Sequence, residues 1–248
     1  MRPRSRFVPA SQGLRLNLLE WSPQGPPLIF LHGFGHSARI WSPFAADFQA
    51  HYRTLALDQR GHGDSDRDPQ ARYSHGSMCA DLAAVLDGLG LRRVCLVGHS
   101  MGGYIALHYT ARHPARVGHL VLVDAGPELR PARITGSGTD HEHAGAGTLS
   151  VDPALLRPRA DQERWARREG KRLWEALECV RCPTLVIRGG RSPLLSRATA
   201  RRMIDEALSR SEAPGTLVEI PDAGHDVMLD QPEAFRRALK DFLLPPEL

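Results

Sequence analysis

Short runs of apolar residues alternate along the chain with longer segments in which apolar residues recur at helical spacing. The short runs predict strands at Leu14–Trp21, Pro27–Leu31, Thr54–Leu57, Val94–Val97, Val117–Val123, Thr184–Ile187 and Leu217–Ile220. The longer segments predict helices at Ser37–Phe48, Ser77–Leu89, Met101–Arg112, Asp161–Val180, Ala198–Leu208 and Pro232–Leu244. Because parallel strands need a crossover between them, this alternation indicates an α/β fold, with a mostly parallel sheet flanked by helices.

Length and composition narrow the class of protein. The 248 residues suit a single α/β domain over residues 1–248. The net charge of +4 comes from mostly dispersed basic residues, and no nucleic-acid-binding motif is present, so we expect no nucleic-acid partner. No stretch approaches 18 consecutive apolar residues, and Met1–Val8 lacks the apolar core of a secretory peptide. We therefore expect no membrane span and a cytoplasmic location.

Cysteine spacing bears on metals and cofactors. Cys179 and Cys182 form a C-x-x-C pair, but the chain has no second pair at a spacing that suits zinc. We expect two packed thiols here, and neither a metal nor an organic cofactor elsewhere.

The most informative motif is G-x-S-x-G at Gly98–Gly102, which is centred on Ser100. It follows the predicted strand Val94–Val97 and opens the predicted helix Met101–Arg112. A sharp turn from strand to helix requires glycine on both sides of the nucleophile, where a Cβ atom would clash. The turn also exposes the serine hydroxyl at the positive end of the helix. This setting predicts that Ser100 is a catalytic nucleophile.

A glycine-rich turn, His32–Gly35, ends the predicted strand Pro27–Leu31. A serine nucleophile needs rigid backbone donors for the oxyanion of its tetrahedral intermediate, and each can contribute about 2.7–4 kcal/mol. The N–H of Met101, the residue after the nucleophile, is one candidate donor, and the N–H of Phe34 is the other. We expect His32 to brace the turn rather than to transfer a proton.

A histidine follows the last predicted strand, Leu217–Ile220, in the segment Ala223–His225. In a parallel sheet this position lies at the same edge as Ser100, and histidine suits a serine nucleophile because its pKa is near neutrality. The chain has 12 histidines, so the position rather than the residue type singles out His225 as the general base.

The chain resembles the α/β-hydrolase superfamily over nearly its whole length. The shared segments, in the family's order, are HGFG at 32–35, DQRGHGDSD at 58–66, GHSMG at 98–102, LVLVDAGP at 120–127, CPTLVIRGG at 182–190 and AGHDVMLDQPEAF at 223–235. The resemblance implies that Asp58 and Arg60 brace a loop near the site. It also implies that the insert 127–180 forms a cap over the pocket. Because much of that insert is rich in glycine and proline, we expect a small cap and an open mouth.

One part of the family pattern is absent. In the family the acid of the catalytic triad usually follows the strand that corresponds to Thr184–Ile187, in a loop resembling G-x-x-D. Here the loop 188–196 contains no carboxylate, and Ser192 or Pro193 stands where an aspartate is expected.

Relocation of the acid is one explanation for this departure. Some relatives carry their acid after the preceding strand, and Asp124 ends that strand here, between Ser100 and His225 in the chain. We therefore hypothesise that Asp124 orients His225, with Glu128 as a weaker alternative. A site with only serine and histidine, or an inactive site, remains open.

These residues predict a hydrolase that cleaves a small-molecule carboxylic ester or lactone through an acyl-enzyme on Ser100. An alternative within the fold is a C–C bond hydrolase or a cofactor-free dioxygenase that uses His225 and Asp124 as a base. An alternative of another class is a ligand-binding protein on a decayed hydrolase fold. We expect the protein to be a monomer or a homodimer.

Overall fold

An eight-stranded sheet forms the centre of the protein, which we describe from a computed structural model in residues 2–128, 151–157, 161–210 and 215–244. The strands are β1 (Arg4–Pro9), β2 (Arg15–Glu20), β3 (Pro27–Leu31), β4 (Arg53–Leu57), β5 (Val94–His99), β6 (Val117–Val123), β7 (Thr184–Gly189) and β8 (Gly215–Ile220). Their order across the sheet is β1-β2-β4-β3-β5-β6-β7-β8. The pairs β1–β2 and β2–β4 are antiparallel, and all later pairs are parallel, which confirms the predicted fold class.

Helices cover both faces of this sheet. They are α1 (Ser42–Ala45), α2 (His75–Gly88), α3 (Met101–Arg112), α4 (Gln162–Glu178), α5 (Arg197–Arg202), α6 (Val227–Asp230) and α7 (Pro232–Leu243). The strand order reverses around β3, because β4 lies on one side of it and β5 on the other. In open α/β sheets, ligands bind outside the carboxyl ends of the strands at such a reversal.

The core lies in two layers, one on each face of the sheet. Successive residues of β3 alternate between them: Ile29 and Leu31 pack with α2, α3 and α4, whereas Leu28 and Phe30 pack with α1 and α7. Each of these four residues is at most 1% exposed. Burial on both faces explains why the central strands are continuous apolar runs rather than alternating ones.

The structure differs from the predicted elements in three places. The chain has an additional strand, β1, which the pattern did not predict because its side chains are mostly exposed and only Val8 is buried. The single helix predicted at Ser37–Phe48 is wrong: a 3-10 turn, the four-residue α1 and a second 3-10 turn replace it. Pro43 lacks the N–H that a continuous helix would need there. The helix predicted at Ala198–Leu208 is α5 followed by a π-helical turn at Met203–Ala207.

The loop after β4 is braced by buried charges, as the family resemblance implied. Arg60 is fully buried, and its guanidinium lies 2.5 Å from Asp81 Oδ2 and 3.1 Å from Asp68 Oδ2. Asp58 accepts hydrogen bonds from the backbone N–H of Ala38 and from the Asn17 side chain. Both side chains therefore hold the loop together.

The insert 127–180 is described only in part, because residues 129–150 and 158–160 lie outside the described residues. Its described helix, α4, packs on α3 and buries Leu173 and Leu177. The basic residues of α4 are exposed, which favours a solvated face. The cap itself stays a prediction. Within the described ranges, no helix is both long and apolar enough to cross a membrane.

Candidate active site

Ser100 occupies a strained turn between β5 and α3. Its backbone has φ 49° and ψ −116°, a region that a residue with a side chain rarely adopts. A Cβ atom on Gly98 would lie 2.4 Å from the carbonyl oxygen of Gly102, and one on Gly102 would lie 2.3 Å from that of Leu31. The Ser100 N–H donates to the Val123 carbonyl at 3.0 Å, which ties the turn to β6. The two flanking glycines are therefore required by close backbone packing.

Asp124 and His225 form a hydrogen-bonded pair at the same edge of the sheet. Nδ1 of His225 lies 2.7 Å from Oδ2 of Asp124. The Asp124 side chain is fully buried, and the His225 side chain is 22% exposed. The other carboxylate oxygen, Oδ1, accepts the backbone N–H of Gly189 at 3.1 Å. A buried carboxylate with these partners can hold the imidazole in one orientation with Nδ1 protonated.

The loop that lacks the family's usual acid contacts Asp124 instead. Ser192 donates its hydroxyl to Asp124 Oδ2 at 2.5 Å, the same oxygen that faces His225. The backbone N–H groups of Leu194 and Leu195 donate to Ser192 Oγ at 3.1 and 3.2 Å, so the hydroxyl hydrogen is left for the carboxylate. Ser192 thus links its own loop to the Asp124 carboxylate.

Glu128, the alternative acid, is engaged elsewhere. Its carboxylate accepts from the Thr199 hydroxyl at 2.6 Å and lies 3.0 Å from the guanidinium of Arg202. It therefore ties the chain after β6 to α5, while Asp124 is the carboxylate that meets His225.

The glycine-rich turn after β3 lies directly against the Ser100 turn. A Cβ atom on Gly33 would be 3.3 Å from the Cβ of Ser100. Phe34 is the next residue, and Met101 is the first residue of α3. The two candidate donor residues thus adjoin residues of the Ser100 turn, and their role at an oxyanion stays a prediction.

Comparison with known proteins agrees with this architecture. A family model described as the alpha/beta hydrolase fold matches residues 26–144. The solved structure of E-2-(acetamidomethylene)succinate hydrolase superposes with a TM-score of 0.76 at 26% identity, over 97% of this chain and 99% of that one. The chain therefore has the α/β-hydrolase fold, as the resemblance in its sequence implied.

Relatives of this α/β-hydrolase have different named activities. RutD of Variovorax paradoxus, which is named as a carbamate hydrolase, is 29% identical over 88% of this chain and 92% of its own length. A non-heme chloroperoxidase of Streptomyces lividans is 40% identical, but the match covers only 49% of this chain and 45% of that protein. These comparisons support an enzyme of the hydrolase class. Because the named activities of the relatives differ, the substrate has to be inferred from the site.

His32 braces the hydrolase's glycine-rich turn, as predicted. Its Nε2 accepts the backbone N–H of Gln59 at 3.0 Å, and the Gln59 side-chain amide donates to the His32 carbonyl. Burial, with a smaller contribution from His62, lowers the pKa of His32 well below its usual value. A neutral, fully buried imidazole that accepts from the backbone is a structural element of the loop.

His99, the residue before Ser100, contacts His225, and the sequence did not indicate this contact. Its Nε2 lies 3.0 Å from the carbonyl oxygen of His225, and the two ring centroids are 4.7 Å apart. Because a carbonyl only accepts, Nε2 carries the hydrogen of a neutral ring. Burial first, and then the neighbouring His225, lowers the pKa of His99 well below its usual value. The variable position of G-x-S-x-G provides no pattern from which this contact could be predicted.

Proposed function

We propose that this α/β-hydrolase cleaves a small carboxylic ester or lactone through an acyl-enzyme on Ser100. The observation that carries the proposal is the 2.7 Å hydrogen bond between His225 Nδ1 and the buried Asp124, beside the strained Ser100 turn. Only a base with a fixed tautomer can repeatedly accept the serine proton, and this pair supplies one.

The proposed mechanism gives each of these residues a defined role. Asp124 accepts a hydrogen bond from Nδ1–H of His225, which leaves Nε2 free to take the proton of Ser100 as the hydroxyl attacks the carbonyl carbon. The backbone N–H groups of Phe34 and Met101 stabilise the oxyanion. His225 then protonates the departing alkoxide, and the acyl group remains on Ser100. His225 next deprotonates a water molecule, which attacks the acyl-enzyme. The bond between the acyl carbon and Ser100 Oγ then breaks, His225 returns the proton to Oγ, and the acid is released.

A fluorophosphonate probe tests this proposal, because it reacts only with an activated serine. We expect stoichiometric labelling at Ser100, turnover of p-nitrophenyl acetate, and loss of both in Ser100→Ala. Ser209→Ala, a change of an exposed residue away from these contacts, serves as the control and should be labelled like the wild type. A folded protein that is not labelled at Ser100 would contradict the proposal and favour a ligand-binding role.

The Asp124–His225 pair also supports a second candidate. A base without serine attack would suit a cofactor-free dioxygenase or a C–C bond hydrolase, since the pair can remove a proton from an acidic substrate carbon or hydroxyl. Oxygen uptake or C–C cleavage that persists in Ser100→Ala but is lost in His225→Ala would favour this candidate. Ester hydrolysis that requires both residues would favour the first.

A further inference from the structure

Three helices bring two imidazoles and a carboxylate together at a place that the proposed reaction does not use. His75 is the first residue of α2, His108 lies in α3, and Glu169 lies in α4. His75 Nδ1 and His108 Nε2 lie 2.7 and 2.8 Å from the same oxygen, Glu169 Oε1. The three donor atoms all lie within 4.8 Å of one another.

We propose that His75, His108 and Glu169 form a binding site for a divalent transition metal of the zinc class. Two imidazoles and one carboxylate are a donor set that zinc uses, with bonds of about 2.0–2.2 Å to nitrogen and oxygen. Donor atoms that already converge within 4.8 Å can surround such an ion after side-chain shifts of less than about 1 Å.

Metal binding requires a defined movement of protons. Each imidazole now places a ring nitrogen against a carboxylate oxygen that can only accept, so that nitrogen carries a hydrogen. In the occupied site that hydrogen has left, each ring keeps a hydrogen on its other nitrogen, and the freed lone pair binds the ion. The carboxylate contributes one negative charge, so the occupied site has a net charge of +1.

The surroundings hold these side chains in place. Side-chain exposure is 11% for His75, 10% for His108 and 7% for Glu169, so the site is nearly closed but reachable by a water ligand. The rings of Tyr104 and Trp165 pack against His75, with centroids 5.4 and 5.7 Å away. Such outer contacts orient metal-binding imidazoles.

The second carboxylate oxygen of Glu169 also has a partner. Oε2 lies 3.6 Å from the guanidinium of Arg172, which leaves Oε1 to face the two histidines. Paired outer contacts of this kind are found around metal-binding carboxylates. The occupied site would join α4, the described helix of the insert, to α2 and α3. It shares no residue with the Ser100 site, so this inference does not depend on the proposed function.

Zinc titration of the full-length, EDTA-treated protein tests the inference. We expect one Zn²⁺ to bind in calorimetry and to raise the thermal midpoint. Loss of an outer partner alone weakens metal sites by about 10–100-fold, so loss of a ligand in Glu169→Gln or His75→Gln should weaken binding by more than about 100-fold. Circular dichroism establishes that each variant is folded.

A matched control separates this site from the other histidines. His51 is exposed and lies between Phe48 and Tyr52, which pack in the core layer on the other face of the sheet from α2, α3 and α4, so His51→Gln should bind Zn²⁺ like the wild type. Another group of possible ligands, His36, His99 and Asp226, also occurs in the described chain, so His36→Gln should likewise retain binding. Zinc affinity that is equal in wild type, Glu169→Gln and His75→Gln, or absent from wild type, would overturn the inference.

Discussion

At the scale of single residues, the proposed activity depends on which carboxylate meets His225. Asp124 does so from a position with φ 45°, which turns its side chain out of the end of β6 and across the neighbouring strands. Its own N–H donates to the Ile187 carbonyl at 2.8 Å, so the unusual backbone is held by β7. Strain of this kind is often retained where a side chain must be aimed at a reacting group.

Asp124→Asn should lower kcat for p-nitrophenyl esters by about 10⁴-fold, because a neutral partner no longer stabilises the correct tautomer and the positive charge of His225. KM should change much less. Asp87→Asn, an exposed change on α2, is the control. Turnover by a folded Asp124→Asn protein at the wild-type rate would show that another group orients His225.

Ser192 offers a sharper test of the same site. Because its hydroxyl already lies 2.5 Å from the carboxylate oxygen that faces His225, an aspartate there should reach the imidazole. Asp124→Asn should lower kcat by about 10⁴-fold, and we expect Ser192→Asp in the same protein to raise kcat again by at least about tenfold. Ser192→Asn in the same background is the neutral control. A double variant no faster than Asp124→Asn would exclude this loop as an alternative position for the acid.

At the scale of elements, the Ser100 turn requires that β5, α3 and β3 approach each other without side chains between them. Gly102→Ala would place a Cβ atom 2.3 Å from a backbone oxygen of Leu31, which cannot move aside as a side chain could. We expect a loss of about 1–3 kcal/mol in the free energy of unfolding, and loss of probe labelling as Ser100 is displaced.

Gly88→Ala is the matched control for this prediction. Gly88 lies in the last turn of α2, and a Cβ atom there meets nothing within 4 Å. Alanine should therefore raise the free energy of unfolding by about 0.5–1 kcal/mol, since it restricts the unfolded chain. Urea unfolding measures both variants, and a Gly102→Ala protein as stable and reactive as Gly88→Ala would refute the packing argument.

At the scale of the whole molecule, buried neutral histidines couple stability to pH. Burial lowers the pKa of His32 and of His99, so the folded protein keeps both rings neutral while the unfolded chain protonates them below about pH 6.5. The unfolded state then binds more protons, and the free energy of unfolding falls as the pH decreases from 6.5.

The variant His99→Gln isolates one of these contributions. Each buried neutral ring contributes up to about 1.4 kcal/mol per pH unit to the slope of the free energy of unfolding against pH. Between pH 6.5 and 5.0 this slope should therefore be smaller in His99→Gln by up to about 1.4 kcal/mol per pH unit. Urea unfolding at several pH values measures the slope, which is independent of any uniform loss of stability. Parallel curves for the wild type and the variant would contradict the prediction.

The features that could be predicted from the sequence are those that depend on residues close together in the chain. The central strands and the Ser100 turn were predictable because apolar runs, flanking glycines and the start of a helix are neighbours in the chain. The segment Ser37–Phe48 was predicted wrongly, because a short stretch of apolar residues does not distinguish one helix from a series of tight turns. Strand β1 was not predicted because it pairs through its backbone at the sheet edge and buries only Val8.

The sequence by itself determined the α/β fold, the Ser100 turn and the place of His225 after the last strand, since each depends on residues close together in the chain. Only the tertiary structure decided which carboxylate meets His225. Asp124 and His225 are 101 residues apart, and they meet because β6, β7 and β8 lie side by side. The contact of Ser192 with Asp124, and the convergence of three helices on Glu169, likewise arise from packing between distant segments, which no local pattern encodes.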